Sequence, residues 1–138
     1  MSIQHYSTGN PWERAVGFSR ALRVGDLVYT AGTIASDQEG NIQGQTCYEQ
    51  AVYILRKLEG VLEEAGSSLS RVIKCVAYLT RIEDEPDFTR AHSELLGPAR
   101  PVTTCVVVQR LFGEGSLVEL ELTALATESP GNRSVALR

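Results

Sequence analysis

Between Leu117 and Ala126 the chain alternates with a period of two: Val118, Leu120, Leu122, Ala124 and Ala126 are apolar, while Glu119, Glu121 and Thr123 stand between them. Successive side chains of a strand point to opposite faces, so this pattern predicts a strand with one face in a core. A different period runs from Thr46 to Ala65, where Ala51, Ile54, Leu55, Leu58, Leu62 and Ala65 recur at three- and four-residue spacing. That spacing predicts a helix. Thr46 and Glu49 have the form of a capping box at its start, and Gly66 ends it.

The remaining elements follow from shorter signals. Phe18 to Val24 and Leu27 to Gly32 read as strands joined by a tight turn at Gly25-Asp26, and Ser36 to Asn41 supplies a second turn around Gly40. Val72 to Thr80 is a predicted strand. Asp84 to Gly97 is a predicted shorter helix, with Pro86 in its first turn and Gly97 at its end. Pro101 cannot donate to a ladder, so a strand is expected to begin near Thr103, led by the small cluster Thr103, Thr104 and Cys105. The order is ββαβαββ, an α+β layer with two helices covering one face of a sheet.

The other face of that sheet is the problem. From Thr103 to Arg110 the alternation puts Thr103, Cys105, Val107 and Gln109 on one side and Thr104, Val106, Val108 and Arg110 on the other. Neither side is wholly polar, which favours an oligomer in which another subunit covers what the helices leave open.

Length and charge narrow the function classes. With 138 residues the chain is read as one domain over 1–138, with a flexible tail from about residue 128. A formal charge of −4 argues against a protein built to bind a phosphate backbone. No apolar run could span a bilayer, and the start MSIQHYSTGNPWERA lacks the apolar segment of a signal peptide, so neither a membrane nor nucleic acid is expected as a partner and the protein is read as cytoplasmic. Cys47, Cys75 and Cys105 form no CxxC pair and only His5 and His92 could assist them, so no metal site or disulfide framework is expected.

Taken together, the order ββαβαββ and three segments resemble the Rid (YjgF/RidA) family: VGFSRALRVGDLVYTAGTIASDQEGNIQG (Val16 to Gly44), LEEAGSSLSRVIKCVAYLT (Leu62 to Thr80) and RPVTTCVVVQRLFGEGSLVELELTALA (Arg100 to Ala126). The resemblance implies a chorismate-mutase-like fold and a homotrimer. It also implies inter-subunit clefts in which imines or enamines of small metabolites are hydrolysed to ketones and ammonia without a metal or organic cofactor.

Carried over position by position, the family site is altered. Where the family has an arginine to hold a substrate carboxylate, this chain has Thr103, so it resembles a divergent member without that cation. A threonine offers one neutral hydrogen bond in place of a bidentate, charged pair. Phe18 stands for a tyrosine, Ala31 for a serine and His92 for an asparagine, with Thr104 beside Thr103. Cys105 and Glu119 remain as candidate catalytic residues, Glu119 to position water and pass protons. Arg20, two residues from Phe18, is the better candidate for a relocated cation, and Arg100 the poorer; the plain alternative for both is a solvated surface side chain. Three function classes stay open at this point: a hydrolytic deaminase, a trimer that binds a small metabolite without turning it over, and, more weakly, an endoribonuclease.

Overall fold

The alternating strand at the end of the chain sets the layering of the whole molecule. In a computed structural model, which describes residues 2–127, the elements are β1 (Ile3–Tyr6), α1 (Pro11–Val16), β2 (Ala21–Val24), β3 (Leu27–Thr30), β4 (Thr33–Ile34), α2 (Cys47–Glu64), β5 (Val72–Leu79), α3 (Glu85–Leu95), β6 (Val102–Val107) and β7 (Val118–Leu125). The strands form one mixed sheet in the order β1-β2-β3-β7-β5-β6, with the two-residue β4 also paired to β7. Every pairing is antiparallel except β5 with β6, which are parallel and joined through α3.

Val118, Leu120, Leu122 and Ala124 are all buried, as the alternation requires, and pack with Ile54, Leu55, Leu58 and Leu62 of α2 in one core. The α2 boundaries fall one residue inside the predicted ones. Thr46 is the N-cap, accepting from the Glu49 N–H at 3.1 Å, while the Glu49 carboxylate accepts from the Thr46 N–H at 3.3 Å. Gly66, at φ +86°, takes the left-handed conformation that ends the helix. No helix among the described residues is long and apolar enough to cross a membrane.

The N-terminal part departs from expectation. The first strand of the hairpin starts at Ala21 and not at Phe18, because Gly17 closes α1 at φ +89° and the N–H groups of both Gly17 and Phe18 still bond the Glu13 carbonyl. Phe18 therefore belongs to a helix end. Asn10 caps α1, accepting from the Trp12 N–H at 2.8 Å, and Pro11 follows it at the first helical position. β1 and β4 are further additions to the predicted order. The tail expected from about residue 128 lies outside the described residues.

Two buried polar side chains join the layers. Arg23 donates from Nη1 to the Ala65 carbonyl at 2.8 Å, satisfying the end of α2, and from Nε to Gly25 in the hairpin turn at 2.9 Å. Gln50, only 1% exposed, donates to the carbonyls of Gly44 and Gly115 and accepts from the Leu117 N–H. It thereby holds the loop before β7 against the first turns of α2. Replacing Gln50 with Leu strands all three backbone groups, and should destabilise the fold by about 3 kcal/mol, read from urea unfolding at neutral pH.

Candidate functional site

The site is built on a buried ion pair. Glu13 of α1 and Arg20, just before β2, are 5% exposed each and meet at 3.1 Å through Nε. Arg20 Nη1 also donates to the Gly32 carbonyl at 2.9 Å and to Thr33 Oγ1 at 3.0 Å. The guanidinium lies 5.1 Å from the centre of the Phe18 ring. Burial pushes the Glu13 carboxyl up, but hydrogen bonds from Ser7, Thr8 and Arg20 and the charge of Arg20 outweigh it, and the group titrates below the usual carboxylate value. Arg20 is thus neither a solvated surface residue nor an unpaired anion receptor.

A cavity of about 450 Å³ opens beside this pair. Arg20, Gly32 and Lys57 face it together with the apolar side chains of Trp12, Phe18, Ile34 and Phe112. Lys57 reaches in from α2 and donates to the Ser36 carbonyl at 2.8 Å. Its burial, and then the neighbouring Arg20, lower its pKa, against the opposing charges of Glu13 and Asp37. Gly113 brings the rim loop in close: at φ +92° it is left-handed, and a Cβ there would lie 2.7 Å from Ile34 Cδ1.

Glu119 stands next to this cavity. It pairs in register with Ile34 of β4 on one side and Tyr78 of β5 on the other. A Cβ added at Gly32 would come within 2.6 Å of Glu119 Oε2, so the absent side chain at Gly32 is what leaves the carboxyl its place. Burial pushes the Glu119 pKa up, Arg20 opposes it, and the like charge of Glu121 adds to the rise. The two acids differ in partners. Tyr78 donates its hydroxyl to Glu121, and this bond holds the Tyr78 hydroxyl up to about 12, whereas the Glu119 carboxyl has no hydrogen-bond partner among the described residues.

The other candidates lie at the far edge of the sheet. In the parallel register Thr103 stands opposite Cys75 and Cys105 opposite Ala77, and Cys75 and Ala77 are buried on the helix-covered face. Thr103 and Cys105 therefore share that face, while Thr104 and Val106 project to the same face as Glu119. His92 Nε2 and Thr103 Oγ1 are 2.8 Å apart, so Thr103 is engaged by α3, and burial lowers the His92 pKa. The Cys105 thiol is pushed up, first by burial and then by Glu85, which keeps it protonated at neutral pH. Cys47 and Cys75 are buried packing residues, each pushed up to about 12 by burial.

β6 carries one further property. Val108 N–H bonds the Leu79 carbonyl of β5 at 2.8 Å, and alternation then turns the backbone groups of Val106 and Thr104 toward β5 as well. The N–H and C=O groups of Thr103, Cys105 and Val107 are left on the open edge.

One chain thus holds two separate groups. Phe18, Arg20 and Gly32, which follows Ala31, line the cavity, and Glu119 lies against Gly32; Thr103, Cys105 and His92 are at the edge strand, with Cys105 and Glu119 on opposite sheet faces. Thr104 joins neither group. Arg100, in the turn after α3 with φ 50°, does not line the cavity. Sequence reasoning missed Glu13, Trp12, Lys57 and Phe112. Asn10-Pro11 ahead of Gly17 was the available signal for α1 and hence for Glu13 and Trp12; nothing in the helical pattern marks Lys57, whose role comes from where the loop at Ser36 passes.

A single mixed sheet with helices packed on it and an open parallel edge strand puts the chain in the α+β class. A sequence model described as Endoribonuclease L-PSP matches residues 9–126. The chain belongs to that family, the YjgF/RidA family. Among proteins similar to it are an uncharacterised protein of Streptomyces coelicolor, 33% identical over 89% of this chain and 92% of its own, and a RutC family protein of Pyrococcus abyssi, 34% identical over 78% and 84%. The crystal structure of Rv2704 from Mycobacterium tuberculosis, described as a member of the YjgF/YER057c/UK114 family, superposes with a TM-score of 0.83 at 36% identity, covering 91% of this chain and all of that one.

Because Glu13 titrates below its ordinary value in the fold, its contribution to stability is present above the usual carboxylate range and is lost as pH falls through the lowered pKa. Glu13→Gln should therefore cost about 3 kcal/mol at pH ~7, the scale for breaking a buried pair, and progressively less in acid. Urea unfolding of both proteins across that range checks the convergence.

Proposed function

We propose that the protein is a cofactor-independent hydrolytic deaminase, which converts the imine or enamine of a small metabolite to a carbonyl compound and ammonia in clefts between the subunits of a homotrimer. The observation that carries this reading is Glu119: a half-buried carboxyl with a raised pKa, no hydrogen-bond partner among the described residues, and a place beside a cavity. An acid of that kind holds its proton more readily than an ordinary carboxyl and can both give and take it during a reaction.

The reaction then needs few parts. The Glu119 carboxyl protonates the imine nitrogen, and the resulting carboxylate takes a proton from the water that attacks the imine carbon. The adduct carries a hydroxyl and an amine on one carbon. Glu119 returns its proton to the amine nitrogen, the C–N bond breaks, and the hydroxyl proton passes to the carboxylate as the carbonyl forms and ammonia leaves. Assembly supplies the second half of the cleft in this reading, the open-edge N–H groups of Thr103 and Cys105 from a neighbouring copy donating to the developing charge. Cys105 acts through its backbone, in keeping with a protonated thiol.

The ribonuclease description attached to the family has less to support it here. His5 is on β1 and His92 packs on β6, at opposite edges of the sheet, so they form no acid–base pair within a chain. The net charge of −4 opposes a polyanion.

Glu119→Gln should lower ammonia release by about 10²–10⁴-fold and leave the thermal midpoint unchanged. Gly32→Ala should reproduce much of that loss, because the new methyl displaces the end of the Glu119 side chain and not the backbone. A coupled ammonia assay on wild type and both purified variants decides this: equal turnover in Glu119→Gln and wild type removes Glu119 as the acid, and no release by wild type removes the reading in favour of a trimer that only binds.

Small imino acids such as 2-iminopropanoate should be poor substrates, since Thr103 is bonded to His92 and carries no charge. Sedimentation should give a trimer at micromolar concentration; a monomer would leave Glu119 without the second wall of its cleft.

A further inference from the structure

Taking the deaminase reading as its starting point, we propose that the cavity selects a monoanionic substrate with a bulky apolar or aromatic body, Arg20 and Lys57 holding its acid group. An imino acid with an aromatic or branched side chain has this chemistry. The charge that the edge strand lacks is then supplied by two cations at the other half of the cleft.

The donors are there. Arg20 spends Nε on Glu13 and Nη1 on Gly32 and Thr33, but Nη2 has no hydrogen-bond partner among the described residues. Among the described residues no buried side-chain nitrogen or oxygen lacks a partner, so Nη2 is not sealed in the interior, and Arg20 lines the cavity. Lys57 uses one of its three donors on Ser36. Of the acids nearby, Glu13 is committed to Ser7, Thr8 and Arg20, and Asp37 to the N–H groups of Glu39 and Asn41 and to Gln43, while Glu119 is the proton carrier of the deaminase reading. Burial, and after it the nearby Arg20, lower the Lys57 pKa, and an anion between the two cations relieves their repulsion.

Size and surface argue for the bulky body. At the ~30 Å³ that a water occupies in the liquid, a cavity of about 450 Å³ holds roughly 15 waters. A three-carbon imino acid would leave most of it wet. The walls, moreover, are large apolar side chains that stand open to solvent, with Trp12 63% exposed, Val16 61%, Phe18 36% and Phe112 91%. An apolar group among them removes that surface from water, while a small polar substrate does not.

Trp12 is the single tryptophan of the chain, so its fluorescence reports on the cavity mouth. The full-length protein is titrated with 3-phenylpropionate, with propionate (acid without body) and with 3-phenylpropanamide (body without acid). The expected result is a saturable change in Trp12 emission with 3-phenylpropionate, at least about tenfold tighter than with either control, as one charge-assisted bond or one buried ring should give. Lys57→Met, which keeps the aliphatic stem, should weaken binding of the acid about tenfold and leave the amide unchanged. Equal affinity for acid and amide, wild-type affinity in Lys57→Met, or an unresponsive Trp12 overturns the proposal. Ammonia release is measured on the same preparations. Binding without release upholds the pocket and removes the deaminase reading; release from small imino acids without binding of the arylalkanoate does the reverse.

Discussion

A carboxylate taken out of water must be met by charge and hydrogen bonds, and Glu13 imposes that constraint on the whole N-terminal third of the chain. Its two oxygens accept from Ser7, Thr8 and Arg20, so the strand-to-helix connection, α1 and the segment before β2 are drawn to one point. Arg20 extends the reach of that point to Gly32 and Thr33. The backbone of Gly32 is thereby fixed against the Glu119 carboxyl, and the cavity is the space left between α1 and this tethered loop. An acid that does no chemistry thus positions the acid proposed to do it.

Legibility in the sequence followed burial. β7 and α2 were readable because each presents a long, regular apolar series to a single core, and such series survive any choice of neighbours. α1 was not, because a six-residue helix with Trp12 and Val16 turned outward has no apolar stripe; only its caps, Asn10 and Gly17, announce it. Phe18 was mistaken for a strand residue for the same reason. It does lie against Arg20, but a helix end places it there and not strand alternation. The site was legible where a single residue type sufficed, as for Glu119, and illegible where it depended on loops meeting. Lys57 looks like any half-exposed helical lysine until the loop carrying Ser36 is laid over it.

The division of the candidates between two faces gives the missing arginine a different meaning. A guanidinium at position 103 would sit on the edge strand, whereas the cations of this chain, Arg20 and Lys57, line the cavity whose Gly32 abuts Glu119. In the proposed deaminase, charge and proton transfer would then be supplied by one chain, leaving the edge strand to contribute backbone donors. This reading accounts for how Thr103 can be occupied by His92 without loss of the site's polarity.

The bond from Arg23 to the last turn of α2 bears on how the molecule comes apart. The turn of the β2–β3 hairpin projects from the end of two inner strands and would ordinarily be free to fray ahead of the core. A guanidinium shared between the hairpin turn and the Ala65 carbonyl denies it that freedom. Opening the hairpin removes the donor that satisfies the last turn of α2. Hairpin and helix end are therefore coupled through one guanidinium, and their amide protons are expected to exchange at similar rates.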